Sequence, residues 1–381
     1  MKKIAIIGAG ISGLFIANLL KRNLNYQITV YEKSTSVELE NGYGIQLSVN
    51  SIKLLNEIGF ESLQNNEKFN PKKIHFYSNN SSNKICELNV SDFNSKGCKY
   101  TTLKRSSLIN FLKRDLEDLI LTGYNISQIE HQDQKVKLYF ENNQIKECDH
   151  LIISDGIFSK SKNLISGNIS KPKYNDTLAI RATLKKPPED IDDKNISLFL
   201  ASDFHHVIYP VNFSGDLNII AIMKHQLSTD KQNNYSLFNE NSFIKTVLDK
   251  TPAAFKNISN DLENLKIFPV FISDDFYEIK SDKIHLIGDA FFAFSPSFAQ
   301  GASQSLEGAY ELFKDIENSE ERNFFKNRKR KTKMVNFRSK FNQFAFHLSN
   351  PLTKFVRNIF LKRLVKNEKF LEYYLGKIYK N

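Results

Sequence analysis

Two segments of this 381-residue chain combine glycines, carboxylates and helix starts in the way that nucleotide binding requires. The first, Gly8-Ala9-Gly10-Ile11-Ser12-Gly13, stands between an apolar run and a helical pattern. Gly8 suits a tight turn, Gly10 lets backbone amides approach a pyrophosphate, and Gly13 lets the helix, with Ser12 in its first turn, pack on the strand. The pyrophosphate then sits at the positive end of that helix. Glu32 follows Gly13 by 19 residues, with Lys33 next to it, where a carboxylate can accept hydrogen bonds from ribose hydroxyls. The second segment runs from Gly288-Asp289-Ala290 through Pro296 to Gln300-Gly301-Ala302 and a helix carrying Glu307. A carboxylate at a strand tip can bind a sugar-alcohol hydroxyl, and the amides of the next helix start can face a ring edge that gains negative charge on reduction.

A third set offers acid-base chemistry. In Phe204-His205-His206-Val207-Ile208-Tyr209-Pro210, a strand places His205, Val207 and Tyr209 on one face and His206 on the other. An imidazole with a pKa of about 6.5 can take a proton from a phenol, which makes the ring a better nucleophile. The competing reading is a sheet surface with a solvated histidine and a packed tyrosine. Arg181 either anchors a substrate carboxylate or makes a surface ion pair.

The elements that must position these residues follow from periodicity. Lys3–Ile7, a helix over 11–22 and Gln27–Tyr31 form a βαβ unit; helices are expected over 51–58 and 106–121, a hairpin over 136–148, and buried strands at 150–154 and 283–287. Between 173 and 268 the pattern changes to alternating strands at 177–184, 197–200, 206–211 and 217–223, an antiparallel sheet inserted into an α/β body and bounded by breakers such as Pro187-Pro188. The last 60 or so residues read as helical.

A chain that is 41% hydrophobic and 25% charged is neither disordered nor a small disulfide scaffold. Cys86, Cys98 and Cys148 are odd in number and lack C-x-x-C spacing, which argues against a disulfide framework and a zinc site; we read them as structural, in a reducing cytoplasm. Lys2 and Lys3 before an apolar run imitate a signal peptide without its small-residue cleavage site. The net charge of +11 is concentrated at the end: from Arg322 onward there are 17 Lys and Arg against Glu368 and Glu372, so the preceding body is mildly acidic. This asymmetry does not by itself indicate nucleic-acid binding.

With these motifs in this order, the sequence resembles the FAD-dependent aromatic-ring hydroxylases, single-component flavoprotein monooxygenases with a para-hydroxybenzoate-hydroxylase-like fold, over nearly its whole length. The family's GxGxxG is Gly8 to Gly13; its Gly-x-Gly-Ile segment before an Asn is Gly42-Tyr43-Gly44-Ile45 with Asn50. The arginine opening the helix that crosses FAD matches Arg105, the Asp-Gly motif is Asp155-Gly156 with Ser159, and the run from Gly288-Asp289 through Pro296 to Ala302 matches the salicylate-hydroxylase-like branch. Two positions depart: Phe292 stands where the family usually has His, and Lys162 where the Asp-Gly motif usually ends in Arg, which keeps the charge but loses the planar fork.

The resemblance implies an α/β architecture: a discontinuous Rossmann-type FAD-binding domain (1–70, 101–172 and 268–320), an inserted antiparallel-sheet substrate domain (71–100 and 173–267) and a basic helical C-terminal region (321–381). It implies bound FAD, NAD(P)H as a transient co-substrate, and transfer of oxygen from O2 to a phenolic or other aromatic ring through a flavin C4a-hydroperoxide, with a small aromatic substrate as partner and no nucleic acid. A reductase or a non-catalytic flavin binder of the same fold is the alternative. In the tail, Leu352, Phe355, Val356, Ile359 and Phe360 recur at helical spacing with Lys354, Arg357 and Lys362 on the other side. That is the pattern of a helix lying peripherally on the inner face of a membrane, or of a helical cap packed on the body with its lysines in solvent.

Overall fold

The computed structural model describes residues 1–37, 43–78, 84–132, 135–167, 171–184, 191–318 and 323–380. Gly42 and Pro187-Pro188 lie outside them. The chain builds a five-stranded, all-parallel sheet in the order Ile284–Leu286, His150–Ile153, Lys2–Ile7, Tyr26–Glu32, Ile120–Thr122. The buried parts of its central strands, Ile4–Ile7 and Leu151–Ile153, are apolar, as strands covered on both faces must be. The helix Ile11–Leu20 is buried along almost its full length and packs with the long helix Gly301–Glu317.

A second, seven-stranded sheet has the order Glu263–Ile272, Lys173–Leu184, Leu217–Lys224, Phe204–Pro210, Ile196–Ala201, Lys73–Ser78, Lys84–Asn89. It is antiparallel except where Ile196–Ala201 runs parallel to Lys73–Ser78. One face packs Leu178, Ile180, Phe204, Ile208 and Ile219 against the helices Asn241–Asp249 and Ala253–Ser259 through Val247 and Phe255. The opposite face carries Arg181, Val207, Tyr209 and Ile220.

A three-stranded sheet of Gly44–Leu47, Thr101–Lys104 and Lys68–Phe69 joins the two bodies. Thr102 Oγ1 donates to the Pro210 carbonyl at 2.5 Å and Lys104 Nζ lies 2.6 Å from the Asp216 carboxylate. The C-terminal helices Phe324–Phe346 and Pro351–Leu364 complete the molecule.

One expected helix is cut short. Instead of spanning 106–121, it covers Arg105–Lys113, and Ile120–Thr122 becomes the edge strand of the parallel sheet. Leu116 and Leu119 continue the helical spacing but lie in turns; an apolar run at a helix end has the same composition as a short buried strand, and the open edge beside Val30–Glu32 claimed it.

Candidate active site

Both glycine-rich segments converge at the carboxyl ends of the parallel strands. Gly8 adopts φ +101° and runs so close to the Ser154 carbonyl and Asp155 that any side chain would collide with them. Ser154 Oγ donates to the Ile7 and Gly8 carbonyls at 2.8 and 2.9 Å, fixing the turn. A Cβ on Gly13 would strike the Gly8 carbonyl, and one on Gly288 would strike Ser12 Oγ, so close packing brings the two motifs together. Gly10 is different. A Cβ there would meet only the Ser154 carbonyl, at 4.0 Å, and one on Gly156 or Gly301 would meet nothing within 4 Å. These three glycines border open space.

Around that space stand the expected carboxylates and cation. Glu32 accepts from the Ala9 amide at 2.8 Å and the Ser34 amide at 3.0 Å, which holds its carboxylate at the strand end beside the glycine turn, with the exposed Lys33 next to it. Asp155 accepts from the Ser161 amide through one oxygen at 3.1 Å, while its other oxygen is buried without a partner. Lys162 is buried beside Asp155; burial lowers its pKa and the Asp155 charge opposes that. Arg105 opens its helix with its amide donating to the Tyr43 carbonyl at 2.7 Å, so the Gly44-Ile45 segment and Arg105 are positioned together.

Asp289 remains solvent-accessible although protein surrounds it deeply, so it lines a cleft. Desolvation there raises its pKa to about 6, and the nearby Arg105 charge opposes that rise. Pro296 opens a short 3₁₀ turn, Ala299 takes the left-handed φ of +49°, and the buried Gln300 leads into the helix that starts at Gly301-Ala302. A non-glycine residue in that conformation is strained, and such strain collects at functional sites. Phe292, in the position of the family's histidine, is packed in an aromatic cluster, stacked on Phe276 at 4.5 Å and next to Phe294.

On the seven-stranded sheet, Tyr209 and Arg181 come together but His205 does not join them. Tyr209 is buried and hydrogen-bonded by the Gln46 side chain; burial raises its pKa, opposed by the Arg181 charge and by Gln46. Arg181 lies over the Tyr43 ring at 5.7 Å, and among the described residues no carboxylate is paired with it. The expected surface ion pair is thus not formed among the described residues, and the guanidinium packs on an aromatic ring instead.

His205 shares the face of Tyr209, but four residues along a strand put it about 13 Å away. There it is buried against Phe346, with Nδ1 2.7 Å from His347 Nε2. Its pKa is driven well below the usual histidine range by burial, then by His347 and His206. One small ring cannot touch both residues, so the expected His205–Tyr209 pair is corrected. His206 lies on the other face, stacked on Phe199 at 4.5 Å.

Sequence reasoning missed Asn218, Tyr43 and Gln46. Asn218 accepts from the Gly44 amide at 2.5 Å, and a side chain on Gly44 would collide with Asn218 and the Tyr209 ring. The available signal was a lone amide ahead of the apolar run 219–223 in the strand Leu217–Lys224. On the same sheet, Ala179, Ile222, Val270 and Ile272 form a small apolar cluster of their own, and Ile220 packs both on it and on the large core. Gln343 joins the strand Lys173–Leu184 to the segment before Pro296: Asn175 and Ser295 both donate to Gln343 Oε1, at 3.0 and 2.5 Å.

This arrangement matches a known design: the chain belongs to the FAD-binding-domain family, whose model matches residues 1–320, and it is a flavoprotein of the aromatic-hydroxylase type. Among its relatives, the 6-hydroxynicotinate 3-monooxygenase of Bordetella bronchiseptica is 23% identical over 83% of this chain and 82% of its own length. The salicylate hydroxylase of Pseudomonas putida is 23% identical over 81% of this chain and 76% of its own. The crystal structure of Klebsiella pneumoniae HpxO complexed with FAD and uric acid superimposes with a TM-score of 0.85 at 15% identity, covering 99% of this chain and 96% of the other. A salicylate hydroxylase substrate complex gives 0.78 at 18% identity, covering 100% and 95%. Among the described residues no group of three or more His, Cys, Asp or Glu is placed to hold a metal ion. Cys86 and Cys148 have thiol pKa values raised by burial to about 11 and about 12, so both are protonated.

The residues present fit FAD. Gly10, Gly156 and Gly301 leave a cradle that side chains would fill, and the helices starting at Ile11 and Gly301 open beside it.

Proposed function

We propose that this FAD-dependent monooxygenase hydroxylates a small aromatic ring bearing a carboxylate and a hydroxyl group. The observation that carries the reading is Arg181, seated on the Tyr43 ring beside buried Tyr209 at the edge of a small apolar cluster. A guanidinium in that position binds a carboxylate in two parallel hydrogen bonds. The cluster covers the ring and excludes water. The hydroxyls of Tyr209 and Tyr100, which share Gln46, would orient a substrate hydroxyl.

When bound, FAD supplies hydride acceptance from NAD(P)H and the activation of O2. The chain's part is to hold it. The amides of Ala9–Ser12 and Arg105 would face its pyrophosphate, Glu32 the adenosine ribose, Asp289 the ribityl chain, and the amides at Gly301-Ala302 the pyrimidine edge of the flavin. The relatives' named substrates, 6-hydroxynicotinate and 3-amino-4-hydroxybenzoate, share the carboxylate-plus-hydroxyl pattern.

The test is a panel of hydroxylated aromatic acids against the same rings without the carboxylate, followed by NAD(P)H and O2 consumption and product analysis. Arg181→Met should raise KM for the acids roughly 10- to 150-fold, the loss of one charge-assisted interaction, with little change for the neutral rings. Equal losses for both sets would remove Arg181 from substrate recognition.

A further inference from the structure

We propose that the outer faces of the two long C-terminal helices form a docking surface for an anionic lipid bilayer. The helix Pro351–Leu364 packs on the body through Leu361, with Ile359 half-buried, but turns most of its expected apolar stripe outward. Its apolar residues Leu352, Phe355, Val356 and Phe360 face solvent, Phe355 at 63% and Phe360 at 57% exposure. Arg357, expected on the solvated side, is instead 7% exposed, donating to the Ala345 carbonyl at 3.3 Å and to Asn358 Oδ1. Lys354 reaches Ser202 Oγ at 3.2 Å. A helix that turns its arginine inward and its phenylalanines outward gains nothing from water.

The preceding helix, Phe324–Phe346, repeats the arrangement. By helical periodicity its solvent side carries Lys326, Arg330 and Lys333 in the first half, then Phe337, Lys340, Phe341 and Phe344, all exposed, with Phe337 at 70%. Between Asn323 and Asn367 the chain has 13 Lys and Arg and no Asp or Glu. Among the described residues no helix is long and apolar enough to cross a bilayer, so the contact is with its surface.

Charge selects the occupant. A second copy of the chain on this face would set one acid-free surface against another, and like charges across an interface are repelled. A nucleic acid would meet the cations and phenyl rings but gains nothing from Leu352 and Val356, which offer neither charge nor a stacking plane. Anionic headgroups over acyl chains satisfy both residue types at once.

The test is flotation of the full-length, FAD-loaded protein with vesicles of phosphatidylcholine alone or with about one-third phosphatidylglycerol, at low and high salt. Wild type should float with the anionic vesicles at low salt and detach at high salt. Lys333→Glu/Lys340→Glu/Arg363→Glu and, separately, Phe337→Ser/Phe341→Ser/Phe355→Ser/Phe360→Ser should each weaken partitioning by more than about tenfold. Retained flavin absorbance and an unchanged unfolding midpoint identify folded variants. The proposal is overturned if wild type stays with the unbound fraction on anionic vesicles at low salt, or if the folded variants float as well as wild type. It is also overturned if the phenylalanine variant converts a dimer to a monomer in sedimentation with vesicle binding unaltered, or if single-stranded RNA binds more tightly than the vesicles and competes them off.

Discussion

Gly10 and Gly13 belong to one motif but answer to different neighbours. Gly13 is fixed by the protein itself, since a Cβ would collide with the Gly8 carbonyl and with Ser154 Oγ. Gly10 faces open space, with its nearest neighbour 4.0 Å from a Cβ. Gly10→Val should therefore fold with an unfolding midpoint close to the FAD-free wild type yet purify without flavin. Gly13→Val should be destabilised by several kcal/mol, in the range of severe overpacking, and be recovered mainly as insoluble chain. Visible spectra and denaturant titrations of the two proteins read both outcomes; a yellow, stable Gly10→Val would mean that the pyrophosphate does not approach this turn. Both glycines were legible in the sequence because spacing alone assigns them. Arg181, Asn218 and the segment Tyr43–Gln46 converge from three separate places in the chain, and no local pattern announced their meeting.

At the scale of elements, the strand Phe204–Pro210 carries two histidines that meet different partners. His206 is buried between Phe199 and Phe255, and burial lowers its pKa to about 3. His205 is buried against His347, whose own pKa is lowered to about 4 by burial, with Asp203 opposing and Lys224 assisting. All three are neutral in the folded chain and protonate more readily once unfolded. Their contribution to stability is thus complete above the unfolded value of about 6.5 and is lost as pH falls toward the folded values. Taking His206 alone, lowering the pH from about 6.5 to about 5 should cost about 2 kcal/mol. Denaturant midpoints measured across that range should fall for wild type and fall less for His206→Phe. A midpoint that stays flat would mean that His206 is solvated. Alternation along the strand was readable and put His205 and His206 on opposite faces. What faced them was not, because His347 and Phe255 arrive from segments far away in sequence. The same limit governs the helix Pro351–Leu364, whose stripe was visible by periodicity while its direction depends on where Ala345 and Ser202 lie.

The C-terminal helices also bind the molecule together, well beyond the stretch that the family model covers. Arg328, 3% exposed, donates to the Gln304 carbonyl at 2.9 Å and to Gln304 Oε1 at 2.6 Å. Its other nitrogen lies 3.5 Å from Glu311 and 4.0 Å from Glu307. Lys331 reaches Glu307 at 3.2 Å, and Gln304 and Asn50 donate to that same carboxylate at 2.8 and 3.4 Å. Farther along the helix, Ser339 Oγ donates to the Ser295 carbonyl at 2.5 Å and Asn342 to that of Ser297 at 3.4 Å. The basic helix therefore braces the stretch from Ser295 to Gln304 that would cradle the flavin. Burial already raises the pKa of Glu311, with the Arg328 charge as the chief opposing cause. Arg328→Leu removes that charge and leaves Glu311 opposite Glu307 with Lys331 as the remaining cation, a change that should cost about 1–3 kcal/mol. Pairing it with Glu311→Gln should recover part of the loss by removing one uncompensated charge. If the helix supports the cofactor segment, Arg328→Leu should also release FAD faster than wild type under conditions where both remain folded. Flavin fluorescence on dilution follows that release directly. Equal release rates with lowered stability would reduce the helix to a clamp on the fold, and equal stability would show that the buried charges are solvated.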